Sequence, residues 1–210
     1  MSMKKLLLVL MFVFPIITFA KATDSTQNAT MFQEGNHYKV LKLPPSSQLT
    51  ATERFSIYCP GCYQWEKDPL IHLKEWLAQH NIVFKQVHMD FMGAYGKQAT
   101  MALAMTHGTQ SYDAIKQALF NYIHVERRGD WQNDNGFFQT LETAGLKQSD
   151  FKVNQNNLQV MKTVLDWNQY GDYIHVAPSF LVNNRYLINM GGLKPYDDLR
   201  ALITYLTQLQ

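Results

Sequence analysis

Cysteine is nearly absent from this sequence: Cys59 and Cys62 are the only two in 210 residues. That scarcity excludes a small fold stapled by a disulfide framework, which spreads more cysteines along its chain. A bridge between these two closes a very short loop, where chain entropy stabilises least, so a structural crosslink explains the pair poorly. A zinc clip needs four ligands, usually a second cysteine pair or an H-x3-5-H pair. His37, His72, His80, His88, His107, His124 and His175 contain no such spacing, so no metal site is expected. Nothing else in the sequence asks for a cofactor.

An excess of one charge is missing too. The chain has 19 basic and 17 acidic residues, but Lys4, Lys5 and Lys21 lie in the first 22. Without that segment 16 basic residues face 17 acidic ones, so no basic patch for nucleic acid is expected. There is no internal repeat, no low-complexity stretch and no long apolar run after Phe19. The start itself reads as a secretory signal peptide over residues 1–22: two lysines, an apolar core from Leu6 to Phe19, then Ala20-Lys21-Ala22. The core is too short to span a bilayer comfortably, and Pro15 interrupts it. The remainder should be an exported, soluble protein of one large domain, or of one domain carrying an insertion.

What is present is RFSIYCPGCYQWEK, Arg54 to Lys67. Glu53, Phe55 and Ile57 alternate with Arg54, Ser56 and Tyr58, the period of a strand. Pro60 then stands where a first helical residue belongs. Trp65, Leu70, Leu73, Trp76 and Leu77 make a roughly helical stripe, which Pro69 should kink. A strand therefore ends and a helix begins at Cys59. Unpaired amides and the positive helix end surround that position and favour thiolate over thiol. Cys62 lies one turn on, within reach of Cys59. Cys59 is expected to be the exposed nucleophile and Cys62 the better shielded resolving thiol. Glu53 falls on the core face of the strand, where burial raises a carboxylate pKa. That suits a proton acceptor for Cys62. The other reading is a strand-end carboxylate that reaches solvent or pairs with a lysine.

CPGCYQWEK with the upstream Glu53, the block HMDFMG (His88 to Gly93) and the late APSFLVNNRY (Ala177 to Tyr186) resemble the DsbA family of bacterial periplasmic thiol oxidants. Glu34 to Tyr38 also resembles the start of the mature protein in that family. The resemblance covers residues 32 to 208. It implies an α/β architecture, a thioredoxin fold with an inserted all-helical domain. The parts would be residues 32–92 and 173–210 for the thioredoxin-like domain and 93–172 for the insertion.

The residues read on their own agree. Ile82 to Phe91 is strand-like. From Gly93 to about Tyr173 only helical patterns occur, with stripes Ala99/Leu103/Thr106, Tyr112/Ile115/Leu119/Tyr122, Phe138/Leu141/Ala144 and Leu158/Met161/Leu165, all expected to be core. Gly145 is a helix stop. Strands return at Ser179–Val182 and Tyr186–Ile188, joined by a turn at Asn183-Asn184. Pro195, with Asp197 and Asp198, opens a last helix carrying Leu199, Ile203 and Leu206.

The resemblance also assigns roles. Pro178 should be cis and face the dithiol, exposing the backbone of Ala177 to an extended substrate peptide. The Cys59–Cys62 disulfide, around the dipeptide Pro60-Gly61, would be donated to reduced exported proteins in the periplasm. A DsbB-like inner-membrane protein would reoxidise the dithiol, and the protein would act as a monomer. Two departures bear on its strength. Gly61 stands where the family archetype has histidine, and Gln86 where the family often has a lysine beside the buried acid. Lys85 points to the other face, which leaves Glu53 without its usual charge partner. A reductant or isomerase using the same dithiol, and a non-catalytic binder of unfolded peptide, are the alternatives.

Overall fold

A computed structural model describes residues 32–126, 129–193 and 196–209 of the chain, the side chains of Tyr196 and Asp197 excepted. The expected signal peptide and Pro195 lie outside the described residues. Along the chain run β1 (Tyr38–Val40), β2 (Thr50–Phe55), α1 (Pro60–Lys67), α2 (Pro69–Gln79) and β3 (Val83–His88). The helices α3 (Gly96–Thr106), α4 (Tyr112–His124), α5 (Asp134–Thr143), α6 (Gln148–Asn154) and α7 (Leu158–Asn168) follow. Then come β4 (Ser179–Val182), β5 (Tyr186–Ile188) and α8 (Tyr196–Gln208).

The sheet order is β1-β5-β4-β2-β3. β2 and β3 are parallel, since α1 and α2 carry the chain back over the sheet between them; β2–β4, β4–β5 and β1–β5 are antiparallel. Asn183 and Asn184 both take positive φ in the β4–β5 turn, a backbone that asparagine tolerates. Pro69 breaks α1 from α2 at Asp68 and opens the second helix. β3 is shorter at both ends than the apolar run suggests, and β1 and α6 have no counterpart in the sequence reading. Gly145 ends the α5 segment with φ +98°.

This is a thioredoxin-like sheet with a helical insert between β3 and β4. Two large apolar clusters hold it together, beside a small one of Leu41, Ile174 and Leu181. One lies between β2, α1 and the inserted helices and includes Phe55, Cys62, Leu103, Leu119 and Phe137. The other lies under α2 and α8 and includes Leu73, Leu77, Phe180, Leu199 and Ile203.

Two expectations need correction. Leu158, Met161 and Leu165 are exposed, not core. α7 turns a second stripe inward, Val160, Val164 and Trp167, against α3 and the His107 ring. Both stripes have helical spacing, and only the packing partner selects one. Phe91, read as a strand end, is exposed beyond β3, whereas β2 is buried along its whole length, with Arg54 under the Tyr170 ring.

Candidate active site

β2 delivers the chain to the dithiol through Ile57, whose backbone is held from both sides. Its N–H donates to His88 Nε2 at 3.1 Å, and its carbonyl accepts from His124 Nε2 at 2.8 Å. Because His88 Nε2 accepts, Nδ1 carries the proton and donates to Thr100 Oγ1 at 2.6 Å. Burial pushes the His88 pKa down to about 3, so the ring stays neutral.

The glycine ending HMDFMG has an equally physical reason. Gly93 takes φ +68°, and a β-carbon there would stand 2.1 Å from the Tyr58 ring. Tyr58 donates its hydroxyl to Asp130 at 2.6 Å and accepts from the Tyr95 amide at 3.0 Å.

Cys59 is the N-cap of α1. Its backbone is extended (φ −86°, ψ 113°), and its sulfur accepts from the Cys62 amide at 3.1 Å. The sulfur thus takes the place that serine or aspartate fills at ordinary helix starts. The Cys62 thiol, then the Cys62 and Gly61 amides, lower the Cys59 pKa to about 7 against an opposing effect of burial. The Cys62 pKa is raised, by its bond to the Cys59 sulfur, by burial, and by the charges of Cys59 and Glu53. Cys62 is fully buried as expected, but Cys59 is only 4% exposed and is not the openly presented thiol that the sequence suggests. It is tucked against Ala177, whose carbonyl accepts from the Cys59 thiol at 3.2 Å. The Ala177–Pro178 peptide bond is cis. A β-carbon at Gly61 would meet Pro178 Cδ at 3.3 Å, which places the Pro60-Gly61 dipeptide and Pro178 face to face.

Behind Cys62 lies a polar cluster inside the core. Glu53 is fully buried and accepts from Gln86 Nε2 at 2.8 Å, while its Oε1 makes no hydrogen bond within the protein. Burial pushes its pKa up to about 7; the Gln86 bond and the charges of Lys116 and Lys74 oppose this, and Glu66 adds to it. The other sequence reading of Glu53, a carboxylate reaching solvent, is thereby excluded. Nor does Glu53 lack a cation in its surroundings. Gln86 Nε2 also donates to Glu66, and Gln86 Oε1 accepts from Lys116 Nζ at 2.9 Å. Lys116 pairs with Glu66 at 3.0 Å and with Asp113 at 3.2 Å. Glu66, Lys116, His88 and His124 are the site residues that sequence reasoning passed over. One signal was available for Lys116: it sits at i+4 from Tyr112, on the apolar side of its helix.

Two cysteines of opposite acidity, with a buried acid behind the second and the backbone of Ala177 beside the first, can break and form a disulfide. Comparison with known proteins decides which chemistry this serves. The chain is 31% identical over 206 residues to the thiol:disulfide interchange protein DsbL of Escherichia coli O6:H1, covering 90% of this chain and 91% of that one. It belongs to the DsbA family. It is a protein-disulfide oxidoreductase. The DsbA of Dickeya dadantii is 25% identical over 186 residues, 86% of each chain. The crystal structure of DsbL from Salmonella enterica serovar Typhimurium superposes with a TM-score of 0.72 at 28% identity, covering 83% of this chain and 96% of that one. No family model matches the chain.

Proposed function

We propose that this DsbA-family protein works as an oxidant, donating its Cys59–Cys62 disulfide to reduced exported proteins in the periplasm. A substrate thiolate attacks Cys59 Sγ. The S–S bond breaks, its electron pair goes to the Cys62 sulfur, and Glu53 supplies the proton. A second substrate thiolate attacks the substrate sulfur of the mixed disulfide, and Cys59 leaves as a thiolate. The substrate is oxidised by two electrons and the protein is left as a dithiol, which a DsbB-like inner-membrane partner reoxidises. The signal peptide is residues 1–22. The thioredoxin-like domain is residues 32–92 and 173–210, residues 93–172 are its helical insertion, and the protein is a monomer.

The observation that carries this reading is the asymmetry of the pair. Cys59 is a stabilised leaving group and Cys62 a poor one. Mixed disulfides through Cys59 therefore resolve by release of Cys59, which completes substrate oxidation. Ala177 and Pro178, with the exposed Val176 beside them, form the substrate edge. One observation favours a milder reading, a reductant: a Cys59 pKa of about 7 is that of thioredoxin, not of a strong oxidant. Equilibration with a glutathione buffer decides. The oxidant reading expects a potential well above the about −270 mV of thioredoxin, toward the about −120 mV of DsbA. A value at or below that of thioredoxin overturns it.

A further inference from the structure

Lys116 is buried on α4, a helix of the insertion, yet two of its contacts, Gln86 and Glu66, bear on the acid behind the dithiol. We propose that Lys116 is a positioning residue for the dithiol chemistry: it locks the Gln86 amide onto Glu53 and balances the charge of Glu66. The inference rests on the proposed role of Glu53 as proton carrier for Cys62.

The hydrogen-bond inventory leaves Gln86 one orientation. An ammonium only donates, so Gln86 must turn its carbonyl oxygen to Lys116. Its NH2 group then faces two carboxylates, Glu53 and Glu66, and donates one hydrogen to each. Without Lys116 only the two carboxylates hold that orientation, and a protonated Glu53 can donate to the Gln86 oxygen instead. A flipped Gln86 would turn its oxygen on the two acids.

Charge makes the same argument. With Lys116 paired to Glu66, the cluster is neutral while Glu53 carries a proton, and gains one negative charge when Glu53 gives it up. Without Lys116, ionised Glu53 would share Gln86 with a second uncompensated carboxylate, and like charges in one site cannot both ionise readily. The other groups facing the cluster are Cys62 and Glu66 on α1, Lys74 on α2, and Asp113 and the buried Tyr112 on α4. Lys74, Gln86, Tyr112 and Asp113 also line a cleft of about 810 Å³ whose lining includes neither cysteine. The cluster therefore meets solvent from the side away from Cys59.

The test isolates the step in which Cys62 gives up its proton. Reduced protein is mixed with saturating oxidised glutathione, the reaction is acid-quenched, and the Cys59–glutathione adduct is followed as Cys62 displaces glutathione. The rate is measured from pH 5 to 9. The wild type should show a rise whose midpoint reports Glu53. Lys116→Met should move that midpoint up by at least about one unit, a tenfold slower resolution at fixed lower pH. Lys116→Gln keeps a donor for Gln86 without the charge and should move it similarly. Gln86→Lys combined with Lys116→Met returns a cation to the cluster from β3 and should bring the midpoint back. An unmoved midpoint in either folded single variant overturns the proposal, as does a shift that the double variant leaves in place. A wild-type adduct that Cys62 never resolves at any pH overturns the Glu53 role beneath it as well, whereas a normal wild-type profile with unmoved variants overturns Lys116 alone.

Discussion

The two sulfurs of this site are one helical turn apart and live in different kinds of surroundings. Cys59 is governed by the start of its own helix: the Cys62 thiol first, then the Cys62 and Gly61 amides. Cys62 is governed by the Cys59 sulfur, by burial and by the charge of Glu53, which Gln86 on β3 joins to Glu66 on α1 and to Lys116 on α4. The first environment stabilises a thiolate and the second a protonated thiol. Backbone amides are fixed by the fold and carry no proton of their own to lose. Side-chain charges respond to pH and to substitution. The acidity of Cys59 is thus set by its helix start, and that of Cys62 depends on surroundings that include a buried acid.

The largest consequence of that difference is chemical. In the reduced protein at pH 7, about half of Cys59 is thiolate, while Cys62 is almost wholly protonated and has no exposed surface. Iodoacetamide should therefore alkylate Cys59 roughly a thousand-fold faster than Cys62. Mass spectrometry of peptides after timed quenching reads the ratio. Comparable rates would erase the distinction between the two environments.

How much of each environment was legible in the sequence follows from the same contrast. The strand–proline–helix junction at Cys59 is local, and nine residues around it specify it. Pro178 came from the family resemblance, since a cis bond has no local signature. The cluster behind Cys62 joins residues 53, 66, 86 and 116, and no periodicity reports contacts at such separations. Gln86 looked like the loss of a charge partner because the sequence shows a substitution on β3 and not the lysine that α4 brings opposite it. The exposed stripe of α7 failed for the same reason: two stripes fit the helical period, and α3 chooses between them. The sheet was easier, since its strands are short runs bounded by turn residues. The exceptions are β1, too short at three residues to show a period, and β3, which ends before Phe91; the buried Arg54 adds that alternation identifies a strand without telling whether its second face is covered.

A second way to sharpen the comparison is through stability. Glu53 titrates near 4.5 when unfolded and near 7 in the folded protein, so the fold holds this proton more tightly. Its contribution is complete below about pH 4.5 and is lost as the pH rises through 7, amounting to about 3 kcal/mol. Cys59 has the opposite sign: its pKa is lowered in the fold, so its contribution is present above about pH 9 and lost as the pH falls through 7. Glu53→Gln should remove the first dependence and leave the second. Urea denaturation of the reduced wild type and variant at pH 4.5 and pH 8 gives the difference directly. A change of less than about 1 kcal/mol between the two pH values would mean that Glu53 is not held as a buried acid.

The smallest expected effect probes whether a side chain of the dipeptide can tune Cys59. Gly61 offers none. A histidine there would place its β-carbon 3.8 Å from the Cys59 sulfur and 3.3 Å from Pro178 Cδ. The first distance brings the imidazole within range to donate a hydrogen bond or a positive charge to the thiolate, and both favour ionisation. The second is tight and requires a shift of a few tenths of an ångström. Gly61→Ala shares that steric contact without the ring, so it separates the two effects. Stabilising the thiolate favours the reduced protein and makes the disulfide more oxidising. A fall of one unit in the Cys59 pKa is worth about 1.4 kcal/mol, or about 30 mV for a two-electron couple. Wild type, Gly61→Ala and Gly61→His equilibrated in the same glutathione buffer should differ in that order of oxidising strength, with most of the step between alanine and histidine. Equal shifts for the two variants would assign the effect to packing against Pro178. No shift in either would leave the Cys62 thiol and the backbone amides of the helix start as the whole source of Cys59 acidity.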